Sequence, residues 1–381
     1  MEVLLHTSPI SKYTRNTDMR YLYKFIDGNS FFPNTTFHIN SDYLTGSIDL
    51  LQITGQRLLS KIGISTQKNS HLYYLSCLSY LPIFQERNCN CEIILVHGNF
   101  PISNSKKLPA IIWETGMLGL EYLKNYYFHP EEAELAWKIE KEQKLRLGKK
   151  AAFIGISHPE AADRFRKYLP SLAEKVRVLP PFLPHIKLSD WSEIVNKHKE
   201  RSKVKLTFIG NQAKRKGLTE LYFALQKLPS ELQEILEVTV VSAFRDGLVP
   251  VPSNLNITYH HDLNSSEINS ILENTHIYCM PSKNEAYGFV YIEAMATGCV
   301  VIAPRREPQD YILDQGKAGL LVDPNDLEEL VFALKTAIME PEHCLELVKN
   351  AWHRVHNLLG PEASAAQYMR VFQEVVSSER E

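Results

Sequence analysis

Two carboxylates, Glu285 and Glu293, stand eight residues apart in PSKNEAYGFVYIEAMATGCVVIAP (281–304), across a loop and the start of a helix. Residues 276–281 (HIYCMP) read as a short buried strand, and 299–303 (CVVIA) as another. Between them, 289–297 is rich in small and helix-forming residues, and Gly298 is placed to end the helix in a left-handed conformation. The unit is therefore strand, loop, helix, strand. Parallel sheets bind ligands in the loop beyond a strand's carboxyl end. A helix starting near Gly288 aims unpaired backbone N–H groups at that loop, which suits a phosphate. Paired carboxylates could also do glycosidase chemistry, but such pairs flank one bond at about 5–9.5 Å. Here the helix alone adds roughly 6 Å of rise between Phe289 and Glu293. That spacing fits two ends of one extended ligand better.

The stretch resembles the E-x7-E signature of retaining glycosyltransferases of the GT-B fold, the group-1, GT4-like family. Its usual form is close to P-S-x-x-E-x-x-G-x-x-x-x-E-A-M-A-x-G-x-P-V-[IV]-A. Pro281, Ser282, Glu285, Gly288, Glu293, Ala294, Met295, Ala296, Gly298, Val301 (or Val300) and Ala303 are in register with it. Only the proline after the glycine differs, replaced by Cys299 or Val300. The resemblance implies that Glu285 accepts hydrogen bonds from donor-sugar hydroxyls. It places the backbone of Ala286, Tyr287, Gly288 and Phe289 near a pyrophosphate, and Glu293 on ribose hydroxyls. A carboxylate suits that last role because it can accept two hydrogen bonds at once.

The cation expected beside a diphosphate should come from FIGNQAKRKGLTEL (208–221), a strand, a turn glycine and a basic cluster before a helix. This matches the family's v-G-R-x-x-x-x-K-G pattern at Gly210, Lys216 and Gly217. Asn211 stands where the family has arginine, and Arg215 is the candidate for a second charge. On the acceptor side His97 ends one strand. The family's usual histidine after the next strand is replaced by Trp113, Glu114 and Thr115, with Glu114 the candidate substitute. Ser157 and His158 match the family's v-S position. In PRREPQDYIL (304–313), Asp310 aligns with the glutamate of a glycine-rich G-G-x-x-E motif, and Arg305 and Arg306 stand near its altered glycines. Either arginine contacts the donor there, or the pair is a solvated basic turn.

The elements that must position these groups alternate along the chain. Strands are expected at 1–6, 91–100, 108–116, 151–157 and 175–184, with a charged helix over 130–150 and another over 159–168. A second strand–helix series opens at 203 with KVKLTFIG. Such alternation indicates parallel sheets. With the resemblance, the expected fold class is α/β of the GT-B type, two facing Rossmann-like, doubly wound domains with a cleft between them. Residues 1–185 form an acceptor-binding domain in this reading, 186–202 a polar linker, and 203–360 the nucleotide-sugar domain. A final amphipathic helix, 361–381, crosses back to the first.

The 381 residues suit two domains, and a net charge of −2 sets no global field drawing the chain to nucleic acid. No run approaches the ~18 apolar residues of a membrane span. The six cysteines lack paired metal spacing and read as reduced thiols, which makes a cytoplasmic location the simplest. No metal and no cofactor are expected beyond the donor substrate, a UDP- or GDP-sugar. The acceptor, the oligomeric state, and peripheral contact with a membrane or with glycan-assembly partners stay open. So does the alternative of a catalytically silent nucleotide-sugar-binding subunit.

Overall fold

A computed structural model describes residues 1–6, 24–25, 27–39, 92–97, 109–113, 134, 137–138, 141–142, 144–145, 148–199, 202–211, 213–242, 255–285 and 287–378. The chain divides into two compact units, Met1–Pro184 with Ser364–Glu381, and His185–Ala363. The first holds a six-stranded sheet of β1 (Glu2–His6), β2 (Thr36–Ile39), β3 (Ile93–His97), β4 (Pro109–Trp113), β5 (Ile154–Ile156) and β6 (Val176–Val178), in the order β2-β1-β3-β4-β5-β6. Every pairing in it is parallel. Helix α1 (Pro159–Tyr168) follows β5 and buries Ala161, Ala162 and Phe165. An aromatic cluster of Phe25, Phe32 and Phe182 fills the core beside β1 and β3, so two of the N-terminal aromatics pack rather than present a surface.

In the second unit α2 (Trp191–Lys199) precedes a sheet of β7 (Val204–Ile209), β8 (Leu236–Val241), β9 (Asn256–His260), β10 (Ile277–Cys279), β11 (Val300–Pro304) and β12 (Leu320–Val322). The order is β12-β11-β10-β7-β8-β9, again parallel throughout. Its helices are α3 (Leu218–Gln226), α4 (Ser230–Glu234), α5 (Ser265–Glu273), α6 (Phe289–Ala296), α7 (Gln309–Ile312), α8 (Leu327–Met339) and α9 (Pro341–Arg354). The order matters for function. From β7 the chain builds outward through β8 to β9, then returns to β10 on the other side of β7 and builds the opposite way. The reversal between β7 and β10 is a topological switch point, where the loops after two adjacent strands part and leave a crevice.

The residues read as a linker, 186–202, instead contain a helix built into the second unit. Trp191, Ile194 and His198 recur at helical spacing, and Ile194 and His198 are buried. Helix α2 grips the end of α6: His198 Nε2 donates to the Gly298 carbonyl at 2.8 Å and Lys197 Nζ to the Thr297 carbonyl at 2.7 Å. Gly298 has φ +74°, and a Cβ there would lie 2.6 Å from Ile194, so both conformation and space require glycine. Pro180, Pro181 and Pro184 interrupt the pattern just before this short amphipathic face and mask it in the sequence.

After α9, α10 (Pro361–Ser378) carries Ala365, Tyr368, Phe372 and Val375 into the first unit's core with Val3, Leu5 and Phe25. Among the described residues no helix is long and apolar enough to cross a membrane.

Candidate functional site

Two loops flank the switch point. The first follows β7 and runs from Gly210 to Gly217, where α3 begins. The second follows β10 and runs from Pro281 to Gly288, where α6 begins. Gly217 and Gly288 both adopt positive φ, +83° and +88°. At Gly217 the requirement is severe, because a Cβ would fall 2.1 Å from the Pro281 carbonyl oxygen. The loops therefore touch backbone to backbone. Lys283 N–H donates to the Arg215 carbonyl at 2.9 Å, and the Arg215 guanidinium donates to the Asn284 carbonyl. Ser282 is fully buried and closes its own turn, its Oγ donating to the Asn284 carbonyl at 2.8 Å.

This contact brings Lys216 and Glu285, distant in sequence, into an ion pair. The lysine stem lies over Gly210, where a Cβ would come within 2.8 Å of Lys216 Cγ. Both ends of the pair are largely removed from water, at 14% and 8% side-chain exposure. Burial lowers the Lys216 pKa, Glu285 acts against that by charge and hydrogen bond, and neighbouring Arg215 lowers it further. Asn211, in the family's arginine position, is exposed beside Gly210.

Helix α6 starts at Phe289, as the spacing predicts, with Gly288 as its first cap and its N-terminal amides at the loop. Tyr291 locks the first turn, its hydroxyl donating to the Met280 carbonyl at 2.7 Å; burial raises its pKa, so it stays a donor. Glu293 lies one turn along. The Tyr278 hydroxyl on β10 has its pKa pushed well up by burial first, then by the negative charges of Glu285 and Glu293. Both carboxylates thus lie within electrostatic reach of one strand residue.

Sequence reading missed two residues at this site. His185 Nε2 stands 2.8 Å from Glu293 Oε1, one oxygen of the carboxylate expected to hold ribose. The two line a small cavity with Lys187, Ser265 and Asn269. Gln309, fully buried at the start of α7, donates through Nε2 to the Tyr287 carbonyl at 3.2 Å. Gln309 reaches the loop from the start of this helix, adjacent to the Asp310 that the motif alignment singles out. Arg305 bonds the Leu321 carbonyl (2.8 Å) and pairs with Glu329 (2.6 Å). Arg306 donates to the Lys283 carbonyl instead, bracing the loop.

On the first unit, Ser157 Oγ and His158 Nδ1 share a buried 3.0 Å hydrogen bond at the start of α1. His97 ends β3, and its side chain lies outside the described residues, as do Glu114 and Ala286. Cys279, Cys299 and Cys344 are buried and in no disulfide. Among the described residues no cluster of three His, Cys, Asp or Glu could hold a metal ion.

Residues 190–354 match the family model described as Glycosyl transferases group 1, and that stretch lies within the second unit. The phosphatidyl-myo-inositol mannosyltransferase of Mycolicibacterium smegmatis is 29% identical over 164 residues, 42% of each chain. The chain thus spans about two-fifths of the length of that curated relative. Among solved structures, sucrose-phosphate synthase from Thermosynechococcus elongatus superposes with TM-score 0.64 at 14% identity, covering 99% of this chain and 100% of the other. Anabaena HepE in complex with UDP-glucose does so at TM-score 0.60 and 14% identity, with the same coverage. At that identity the likeness concerns the fold, which is GT-B: two Rossmann-like domains.

Proposed function

We propose that the protein transfers a sugar from a nucleoside-diphosphate donor, a UDP- or GDP-sugar, to an acceptor hydroxyl with retained anomeric configuration. The observation that carries this reading is the meeting of Lys216 and Glu285 across the switch point, at the N-terminus of α6, with Glu293 one turn further along. A diphosphate would sit against the amides of Gly288 and Phe289, where the dipole of α6 favours an anion. Lys216 would then offset the charge that grows on the leaving diphosphate as the glycosidic bond breaks. Glu285 would accept from hydroxyls of the sugar, and Glu293 from those of the ribose. In the transfer, the bond from the anomeric carbon to the phosphate oxygen breaks and a bond to the acceptor oxygen forms on the same face. The acceptor proton passes to the departing phosphate. The residues described here provide no nucleophilic carboxylate role apart from the donor contacts, and the reaction calls for no cofactor.

The gene product would work in the cytoplasm, on an acceptor that meets the first unit. A second reading, a nucleotide-sugar-binding subunit without transfer, is favoured by one feature: Asn211 replaces the family's arginine, and Arg215 is engaged with the Asn284 carbonyl. Two substitutions distinguish the roles. Glu293→Ala is expected to weaken UDP or GDP binding roughly tenfold or more, the cost of charge-assisted hydrogen bonds, with turnover at saturating donor largely kept. Glu285→Ala should leave nucleotide affinity within a few-fold and depress turnover. Steady-state kinetics with UDP-, GDP- and ADP-sugars, alongside calorimetry, measures both. Wild-type constants in both variants would remove the site assignment, whereas donor binding without transfer or slow hydrolysis would favour the second reading.

A further inference from the structure

We propose that Gln309 is a positioning residue for the diphosphate: by holding the Tyr287 carbonyl it sets the direction of the Gly288 N–H on the other side of the same peptide. The inference rests on the donor-site reading above. Gln309 has no exposed surface, and its Nε2 lies 3.2 Å from the Tyr287 carbonyl oxygen. The opposite amide orientation would set Oε1 against that oxygen, so the network itself assigns the nitrogen there. In a planar trans peptide the C=O and N–H point in opposite directions. Fixing the Tyr287 oxygen toward α7 therefore turns the Gly288 hydrogen away from α7, toward the loop side at the head of α6.

The same device recurs along the loop. Arg306 takes the Lys283 carbonyl and Arg215 the Asn284 carbonyl. Three side chains from outside thus hold three loop carbonyls; the Asn284 N–H, which follows the first, donates to Ser282 Oγ at 3.3 Å, so the inference concerns the Gly288 N–H. Gln309 differs from the two arginines because it is uncharged, so replacing it changes no charge around a bound anion. Its Oε1 is buried with no hydrogen-bond partner among the described residues. A leucine of similar volume would avoid that cost, so what the glutamine adds to the fold is the bond its nitrogen makes.

The test titrates UDP and GDP into the full chain as wild type, Gln309→Leu and Gln309→Glu, with unfolding midpoints measured in parallel. Gln309→Leu is expected to stay folded and to bind roughly tenfold more weakly. Gln309→Glu supplies a donor only when protonated, and an ionised carboxylate would repel both the Tyr287 oxygen and the ligand. Relative to wild type at the same pH, its affinity should recover between about pH 8 and about pH 5.5, across the range of a buried carboxyl. A structural filler would leave the uncharged leucine variant binding like wild type, so the pH recovery counts only together with the leucine deficit. A folded leucine variant that binds like wild type overturns the proposal, as does a glutamate variant whose deficit is independent of pH. If the leucine variant does not fold, Gln309→Met takes its place in the same titration, and a folded methionine variant that binds like wild type overturns the proposal. Wild-type protein that binds neither nucleotide overturns the donor-site reading, and this inference with it.

Discussion

Lys216→Met is expected to lower donor turnover roughly 100- to 1,000-fold, the range seen when one preorganised charge or donor facing the transition state is removed. The lysine stem lies over Gly210 and the ammonium is held against Glu285, mostly out of water, where its charge is poorly screened. Loss of fold must be separated from loss of chemistry. Removing one partner of a buried ion pair costs about 3–5 kcal/mol, a large part of the ~5–15 kcal/mol that holds a domain together. The double variant Lys216→Met with Glu285→Gln leaves no unpaired charge and should recover much of the unfolding midpoint while remaining inactive. Recovery of activity together with stability would show that the pair is structural.

The pH profile gives the same prediction independently. Burial lowers the Lys216 pKa below its ordinary 10.5, so turnover should fall on an alkaline limb that begins before a normal lysine would titrate. That limb should be missing from the residual activity of Lys216→Met. For stability the sign is the reverse. A lowered folded-state pKa means that the unfolded chain keeps its proton longer. The contribution of Lys216 to stability therefore rises with pH between the lowered value and 10.5.

The second large effect is expected at Gly217. With φ at +83° and a virtual Cβ 2.1 Å from the Pro281 carbonyl oxygen, Gly217→Ala must push the two loops apart. Backbone strain of this kind costs about 1–3 kcal/mol by itself, and the displaced loops would separate Lys216 from Glu285. Nucleotide binding and transfer should both be lost, with a lowered unfolding midpoint. Gly316→Ala is the matched control. Its φ is +92°, but the added Cβ would meet only Leu321 at 3.7 Å. It should cost stability through conformation alone and keep activity. Equal loss of activity in both would mean that general destabilisation, rather than loop apposition, explains Gly217.

The glutamate unit was legible because all its parts lie within 281–304. The strand, the helix start at Phe289 and the left-handed Gly298 each leave a local mark on residue type. The strand β7 and the helix α3 were likewise readable from an apolar run and the polar turn that follows it. The pairing of Lys216 with Glu285 was not, because it depends on β10 lying beside β7, a matter of strand order rather than of local pattern. His185 was hidden by the prolines before it, although Trp191, Ile194 and His198 at helical spacing could have shown that the second unit had already begun. Gln309 left no signal at all. A buried glutamine beside Asp310 has no periodicity, and a motif that counts residues selected its neighbour. In the first unit β2 was unread, while the acceptor-side candidates His97 and Glu114 rest on residue type and resemblance alone.

The most direct measurement is a crystal structure of the full chain with UDP or GDP bound, the nucleotide chosen by thermal shift, since at equal concentration the tighter ligand raises stability more. The diphosphate should lie on the amides of Gly288 and Phe289 with Lys216 Nζ in contact, and a ribose hydroxyl should lie within hydrogen-bond distance of Glu293. A diphosphate bound away from the head of α6, or a ribose that leaves Glu293 untouched, would contradict the account.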